Sequence, residues 1–306
     1  CMYGRVKLLA AALAGRCDQF IAVGGVPAYR NVIGAERSRP HHPALPARES
    51  DPLADTVDNP EVALPKLPAL IREAERAVFE RATAGGFQGT VIRYPAIHGP
   101  RNQMPHEWLV MTRIRDDRPF MILPDGGLGI MARCGARNAA EILLQVVDHP
   151  GAANGQAYNC ADDVQYSWRQ WLQVVADAAG GDLPMVSLPR ELVPLIQATL
   201  IPLEGFSDQT LFDTTKARLE LGYTEVVAAA DQIAETVAWL EEHPPVVEGN
   251  VAFHDPFDYD TEDRLVAAYR TAVDQLRAEI PWDAPELHHP LPHPTRPTGT
   301  VDQMGR

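Results

Sequence analysis

Gly89-Thr-Val-Ile-Arg-Tyr-Pro-Ala-Ile-His-Gly-Pro-Arg-Asn102 decides the fold. Its first half is a short apolar run with β-branched side chains, closed by Pro95 and then by Gly99-Pro100. A strand buried on both faces reads this way, and such strands belong to parallel sheets covered by helices. Immediately upstream, Leu67, Leu70, Ile71, Ala74 and Val78 recur at helical spacing. They predict a helix over about residues 67–84, stopped by Gly85-Gly86. Earlier still, Phe20-Ile21-Ala22-Val23 is a second buried-type strand, closed by Gly24 and Gly25. Residues 3–15 are rich in Ala and Leu and predict a helix ending at Gly15. Helix, strand, helix, strand is the rhythm of a parallel sheet layered with helices.

Working outward, residues 26–65 are rich in Pro, His, Arg and Asp and read as a long irregular loop. Loops of that length are usually functional or mobile. Beyond Arg101 the pattern changes. Short strands at Phe120–Leu123 and Ala157–Asn159 mix with helices. One helix follows Ser167, which with Gln170 matches a capping box. Another is expected near 228–242, with Ile233, Val237 and Leu240 on one side. The reading divides the chain into residues 1–100, residues 101–245 as a smaller lobe interleaved with the first part, and a tail over 246–306. Within the tail, Leu265, Ala268, Tyr269, Ala272, Val273 and Leu276 predict an amphipathic helix. After Pro281 the chain is Pro- and His-rich and is expected to be extended or disordered.

Composition narrows the partners. The chain has 306 residues, 45% hydrophobic and 22% charged, with a formal net charge of −14. That balance repels phosphate backbones and anionic lipid surfaces, so neither a nucleic acid nor a membrane is expected as partner. No apolar run is long enough to span a bilayer, and no signal peptide is visible. The four cysteines, Cys1, Cys17, Cys134 and Cys160, are scattered, with no Cys-x-x-Cys pair. They read as free thiols in a reducing cytoplasm.

Four segments, in order, resemble the extended short-chain dehydrogenase/reductase family, the NAD(P)-dependent epimerases and dehydratases. Val91 to Asn102 resembles the family's strand and "Tyr-Gly-Pro-Arg" loop, which passes beside the nicotinamide and opens the substrate pocket. Asp213-Thr-Thr-Lys-Ala-Arg-Leu-Glu-Leu-Gly-Tyr223 is similar to its late "Lys-Ala … Leu-Gly-Tyr" helix. Residues 20–29 look like the strand ending in "Ser-Ser … Val-Tyr-Gly", and residues 3–12 like the helix before it. The likeness runs to about Pro245. It implies an α/β fold: an incomplete Rossmann-like, doubly wound parallel sheet, a smaller α/β substrate lobe and a C-terminal helical tail. It also implies NAD or NADP as cofactor, a small-molecule substrate and a homodimer. Gly24, Gly25, Tyr94 and Pro95 fall where the cofactor binds, and Tyr29, Ala96, His98 and Arg101 where the substrate binds.

The departures are as informative as the matches. The family's Gly-x-x-Gly-x-x-Gly turn, which meets the pyrophosphate at a helix N-terminus, has no counterpart following a strand here. Gly126, Gly127 and Gly129 read better as a loop. On this register about 60–100 upstream residues are expected to be absent, at about 30 per βαβ unit. The catalytic Tyr-x-x-x-Lys pair aligns with Leu67 and Ile71, its Ser/Thr helper with Gly25, and the acidic position four residues on with Glu75. Tyr3-Gly-Arg-Val-Lys7 fits the two-letter pattern, but it sits on the preceding helix and reads as coincidence.

Other candidates carry a plainer reading beside the functional one. His98 could exchange a proton near neutral pH or simply wall a pocket. Tyr29, Tyr94 and Pro95 could shape a strand end rather than touch a ligand. Arg133 and Arg137 read better as surface or interlobe salt bridges than as diphosphate ligands. His41-His42 and His288-His289 with His293 could suit a metal, yet prolines interrupt both clusters and no metal site is expected. An enzyme that has changed its acid–base groups and a non-catalytic binding relative both remain open, as does a fragment without independent activity.

Overall fold

The computed structural model describes residues 3–30, 32, 45–54, 67–195, 209–246, 255 and 257–280. The five histidines weighed for metal, at 41–42, 288–289 and 293, lie outside the described residues. The chain divides into two compact units, residues 1–259 and 260–306.

The expected alternation opens the first unit. It runs α1 (Tyr3–Leu13), β1 (Gln19–Gly25), α2 (Leu67–Thr83) and β2 (Gln88–Tyr94). Then come β3 (Ala96–His98), α3 (Glu107–Arg115), β4 (Met121–Pro124), β5 (Arg133–Gly135), α4 (Ala136–Asp148), α5 (Pro150–Ala153) and β6 (Gln156–Asn159). They are followed by α6 (Trp168–Ala178), β7 (Met185–Leu188), α7 (Thr215–Leu221) and α8 (Ala229–Glu242). The last described helix, α9 (Tyr259–Glu279), covers the amphipathic stripe read in the tail.

The main sheet has the order β1-β2-β6, and both pairings are parallel. Strand β2 is central, and Gly89 to Arg93 are buried, as its unbroken apolar run requires. On one face Val78 of α2 packs with Ala22, Phe87 and Val91. On the other, Ile142 and Val146 of α4 pack with Ile92 and Tyr158. Helices on both faces of a parallel sheet make the Rossmann-like layering. Strand β6 comes from residues beyond the first hundred.

Two small parallel pairs, β3 with β5 and β4 with β7, carry the rest of the strands. Around them Leu109 of α3, Trp168, Trp171 and Leu172 of α6, and Ile233 and Val237 of α8 form a second core. The capping box is present: Ser167 accepts from the Gln170 backbone N–H, and the Gln170 side chain accepts from Ser167. It fixes where α6 starts, and so where both tryptophans point. Truncating either buried indole to Ala is worth about 3–5 kcal/mol. Helix α7 stops at Gly222, whose φ of 70° is left-handed. This is the Leu-Gly-Tyr ending read in the sequence.

Candidate functional site

Parallel strands bring their carboxyl ends to one edge, and a ligand crevice forms there. In the main sheet that edge is Gly25, Tyr94 and Asn159. A single buried network ties it together. Arg93 donates from Nε and Nη2 to the two carboxylate oxygens of Glu75, at 2.9 and 3.0 Å. Its Nη1 donates to the Tyr29 hydroxyl at 2.9 Å, and that hydroxyl donates to Asn159 Oδ1 at 2.6 Å. Asn159 Nδ2 donates to the carbonyls of Ala47 and Asp213, and its backbone N–H to Glu49 Oε1. The Arg93 guanidinium also lies 4.7 Å from the Tyr29 ring centroid.

This wiring sets the electrostatics. Burial pushes the Tyr29 hydroxyl up to about 12, with Arg93 opposing. Burial also raises the Glu49 carboxyl, against the hydrogen bond from the Asn159 backbone. Burial works against the Arg93 charge, but the hydrogen bonds and charge of Glu75 carry it above the ordinary arginine value. Tyr29 is therefore a fixed neutral donor and no ready base.

The positions aligned with the hydride-transfer machinery look different. Ile71 is fully buried, and Leu67 is half-buried at the first turn of α2. A Cβ on Gly24 would stand 3.1 Å from Val91 Cγ1 and 3.3 Å from Glu75 Oε1. A side chain at residue 24 would need these neighbours to give by a few tenths of an ångström, and Gly25, the position aligned with the Ser/Thr helper, is buried beside it. Tyr94 is half-buried, and its hydroxyl donates to the Ala139 carbonyl of α4. Burial, Cys160 and Cys134 together raise that hydroxyl above the ordinary tyrosine value. Pro95 joins β2 to β3, which Ala96 opens.

His98 ends β3 and is buried. Its Nε2 is 2.9 Å from Asp162 Oδ2. Asp162 also accepts from the Gly135 backbone N–H and from Asn138 Nδ2. Asn138 in turn accepts from the backbone N–H groups of Val226 and Val227. Gly135 has no room for a side chain, since a Cβ there would lie 1.9 Å from Gln232 Nε2. Arg101 is exposed, with φ of 66°. The structure thus gathers Gly24, Gly25, Tyr29 and Tyr94 at one edge, with His98 on the neighbouring small pair and Arg101 facing solvent.

Two arginines expected in salt bridges part company. Arg137 does pair, with Glu235 of α8 at 2.6 Å. Arg133 makes no ion pair among the described residues; it is buried between Trp168 and Trp171, 4.2 and 4.3 Å from the ring centroids. Stacking on indole faces replaces hydration there. Burial lowers its pKa to about 9, with Glu107 opposing. Burial raises Glu107, and burial followed by the Arg133 charge lowers His106 to about 3. Neither Glu107 oxygen has a hydrogen-bond partner among the described residues.

A cavity of 760 Å³ runs along edge strand β6, lined by Arg48, Glu49, Arg93, Asp213 and Lys216. Another, of 640 Å³, follows α2 past Arg72, Arg76 and Phe79. Among the described residues no His, Cys, Asp or Glu group is arranged to hold a metal. No described helix is long and apolar enough to cross a membrane.

Sequence reasoning did not single out Asn159, Asp162, Asn138, Glu49 or Glu107. The one available signal was Asn159, at the carboxyl end of a short apolar run, where parallel strands place functional groups.

No family model matches the chain, and no curated protein matches it. Solved structures do. UDP-glucuronic acid 4-epimerase from Bacillus cereus, in complex with NAD, is 14% identical, with a TM-score of 0.58, over 78% of this chain and 66% of that one. UDP-glucose 4-epimerase from Thermotoga maritima is 15% identical, with a TM-score of 0.58, over 78% and 67%. A dTDP-glucose 4,6-dehydratase from Streptomyces venezuelae is 18% identical, with a TM-score of 0.53, over 79% and 65%. The chain spans about two thirds of the length of these structures. It has the Rossmann-type fold of NAD-dependent epimerases and dehydratases, the extended short-chain dehydrogenase/reductase fold.

Proposed function

We propose that this is a diverged NAD(P)-linked protein of the epimerase/dehydratase type, acting on a small molecule. The observation that carries the reading is the network Glu75–Arg93–Tyr29–Asn159. It clamps the carboxyl ends of three parallel strands in the one place where this fold offers a crevice. The solved structures of this fold named above are described with NAD, UDP-glucose or dTDP-glucose chemistry. Nucleotide sugars are therefore the first substrate class to test.

Of the cofactor's two halves, the residues here fit one. Gly24, Gly25 and the Tyr94-Pro95 turn suit a wall beside the nicotinamide. Among the described residues no glycine-rich turn joins a strand to a long helix. When bound, the cofactor supplies hydride transfer. The chain's own acid–base candidate is His98, held by Asp162. Gly25, Leu67 and Ile71 offer no titratable group, and Tyr29 keeps its proton.

The same three positions favour a second reading, a protein that binds the ligands without turning them over. Fluorescence titration of the full-length protein with NADH and NADPH, with and without UDP-glucuronic acid, UDP-glucose or dTDP-glucose, tests both. Cofactor binding with turnover supports the first reading. Binding with no product supports the second. Absence of cofactor binding sinks the NAD(P)-linked assignment.

A further inference from the structure

Cys134 lies in β5 and Cys160 directly follows β6, 26 residues apart in sequence. Both are fully buried. Their sulfurs are 3.1 Å apart, a thiol–thiol contact on two segments that no sheet pairing joins. A disulfide bond is about 2.05 Å long, so closure needs a shift of about 1 Å, within reach of small side-chain rotations. Both backbones are anchored on Asp162: Gly135, next to Cys134, donates to its carboxylate, and Asp162 itself is two residues beyond Cys160. The two segments are therefore already held together without the bond.

We propose that Cys134 and Cys160 are a latent disulfide, a modification site that peroxides close within the folded protein. The balance is simple. One thiol attacks the peroxide O–O bond, forming an S–O bond and releasing water. The second sulfur then attacks the first, an S–S bond forms, the S–O bond breaks and a second water leaves. Two thiols lose two protons and two electrons, and one hydrogen peroxide becomes two waters. Hydrogen bonding to Cys160 and burial keep Cys134 protonated in the resting state, so closure is slow and tracks local opening. The bond, once made, is shielded from reductants by the same burial. It encloses α4, α5 and β6 in one loop, which restricts the unfolded chain and stabilises the folded one. The inference is independent of the proposed cofactor and substrate.

The test uses the full chain with Cys1→Ser and Cys17→Ser, treated with hydrogen peroxide. Intact mass, peptide mapping without reductant, and iodoacetamide labelling in denaturant are read before and after. The expected result is a mass loss of about 2 Da, a cross-linked peptide pair holding Cys134 and Cys160, and no labelling until dithiothreitol is added. The oxidised form should also unfold at a higher temperature than the reduced form. Comparing two redox forms of one protein avoids dependence on whether a buried Cys→Ser variant folds. Two labelled thiols after peroxide, or oxygen gain without a cross-link, would overturn the proposal.

Discussion

Arg93 and Glu75 meet in a two-point ion pair, with both residues within a few per cent of full burial. Two parallel N–H···O bonds fix direction as well as distance, so α2 has one rotational setting on β2. Glu75→Gln should leave Arg93 buried without its counter-charge, at a cost of about 3–5 kcal/mol. The double change Glu75→Leu with Arg93→Met should recover much of that loss. Urea unfolding of the three proteins at neutral pH checks it, and equal stabilities of single and double variants would refute the coupling.

Tyr29 links the same arginine to Asn159, and its hydroxyl is pushed from 10.0 up to about 12. The folded value lies above the unfolded one, so the contribution is complete below the unfolded value and is lost as pH rises through the folded one. Stability should fall between about pH 10 and about pH 12. Tyr29→Phe should flatten that fall while costing about 1 kcal/mol at neutral pH. Thermal unfolding across the alkaline range, with phenolate absorbance as a second readout, decides it.

Glu107 is buried with no hydrogen-bond partner for its oxygens among the described residues, and burial raises its carboxyl above the usual value of 4.5. The sign is again that of a raised group: its contribution is greatest at low pH and declines as pH climbs. The stability of the parent protein relative to Glu107→Gln should therefore decrease steadily from acid to neutral pH. A difference that stays flat with pH would contradict the assignment.

Gly135 stands where a side chain would overlap Gln232. The Gln232 side chain accepts from the Arg137 backbone N–H and donates to the Val227 carbonyl, docking α8 on the start of α4. Gly135→Ala should destabilise by about 1–3 kcal/mol through overpacking. Adding Gln232→Ala should relieve part of it, and a denaturation cycle over the four proteins measures the coupling.

Much of the scaffold was legible because its signals are local. The 67–83 helix, the 88–94 strand and the Ser167–Gln170 cap are each specified by residues within a few positions of one another. The polar site was not, because its partners are remote: Tyr29 and Asn159 are 130 residues apart, and His98 and Asp162 are 64. No periodicity reports such a pairing. Arg133 was misread for a related reason. A charged side chain reads as surface until the fold supplies two indole faces to hold it. Strand β6 is only four residues long, and only its partner β2 assigns it to the main sheet.

Ile71, fully buried, makes this face of α2 hard to rewrite. Residues that line a crevice can be exchanged one at a time, but this position has become part of the packing between helix and sheet. A lysine placed there would have to bring its charge into a buried region, and Glu75, one turn on along the same helix, is already held by Arg93. A charged group on this face of α2 therefore requires several coordinated substitutions, each unfavourable without the others.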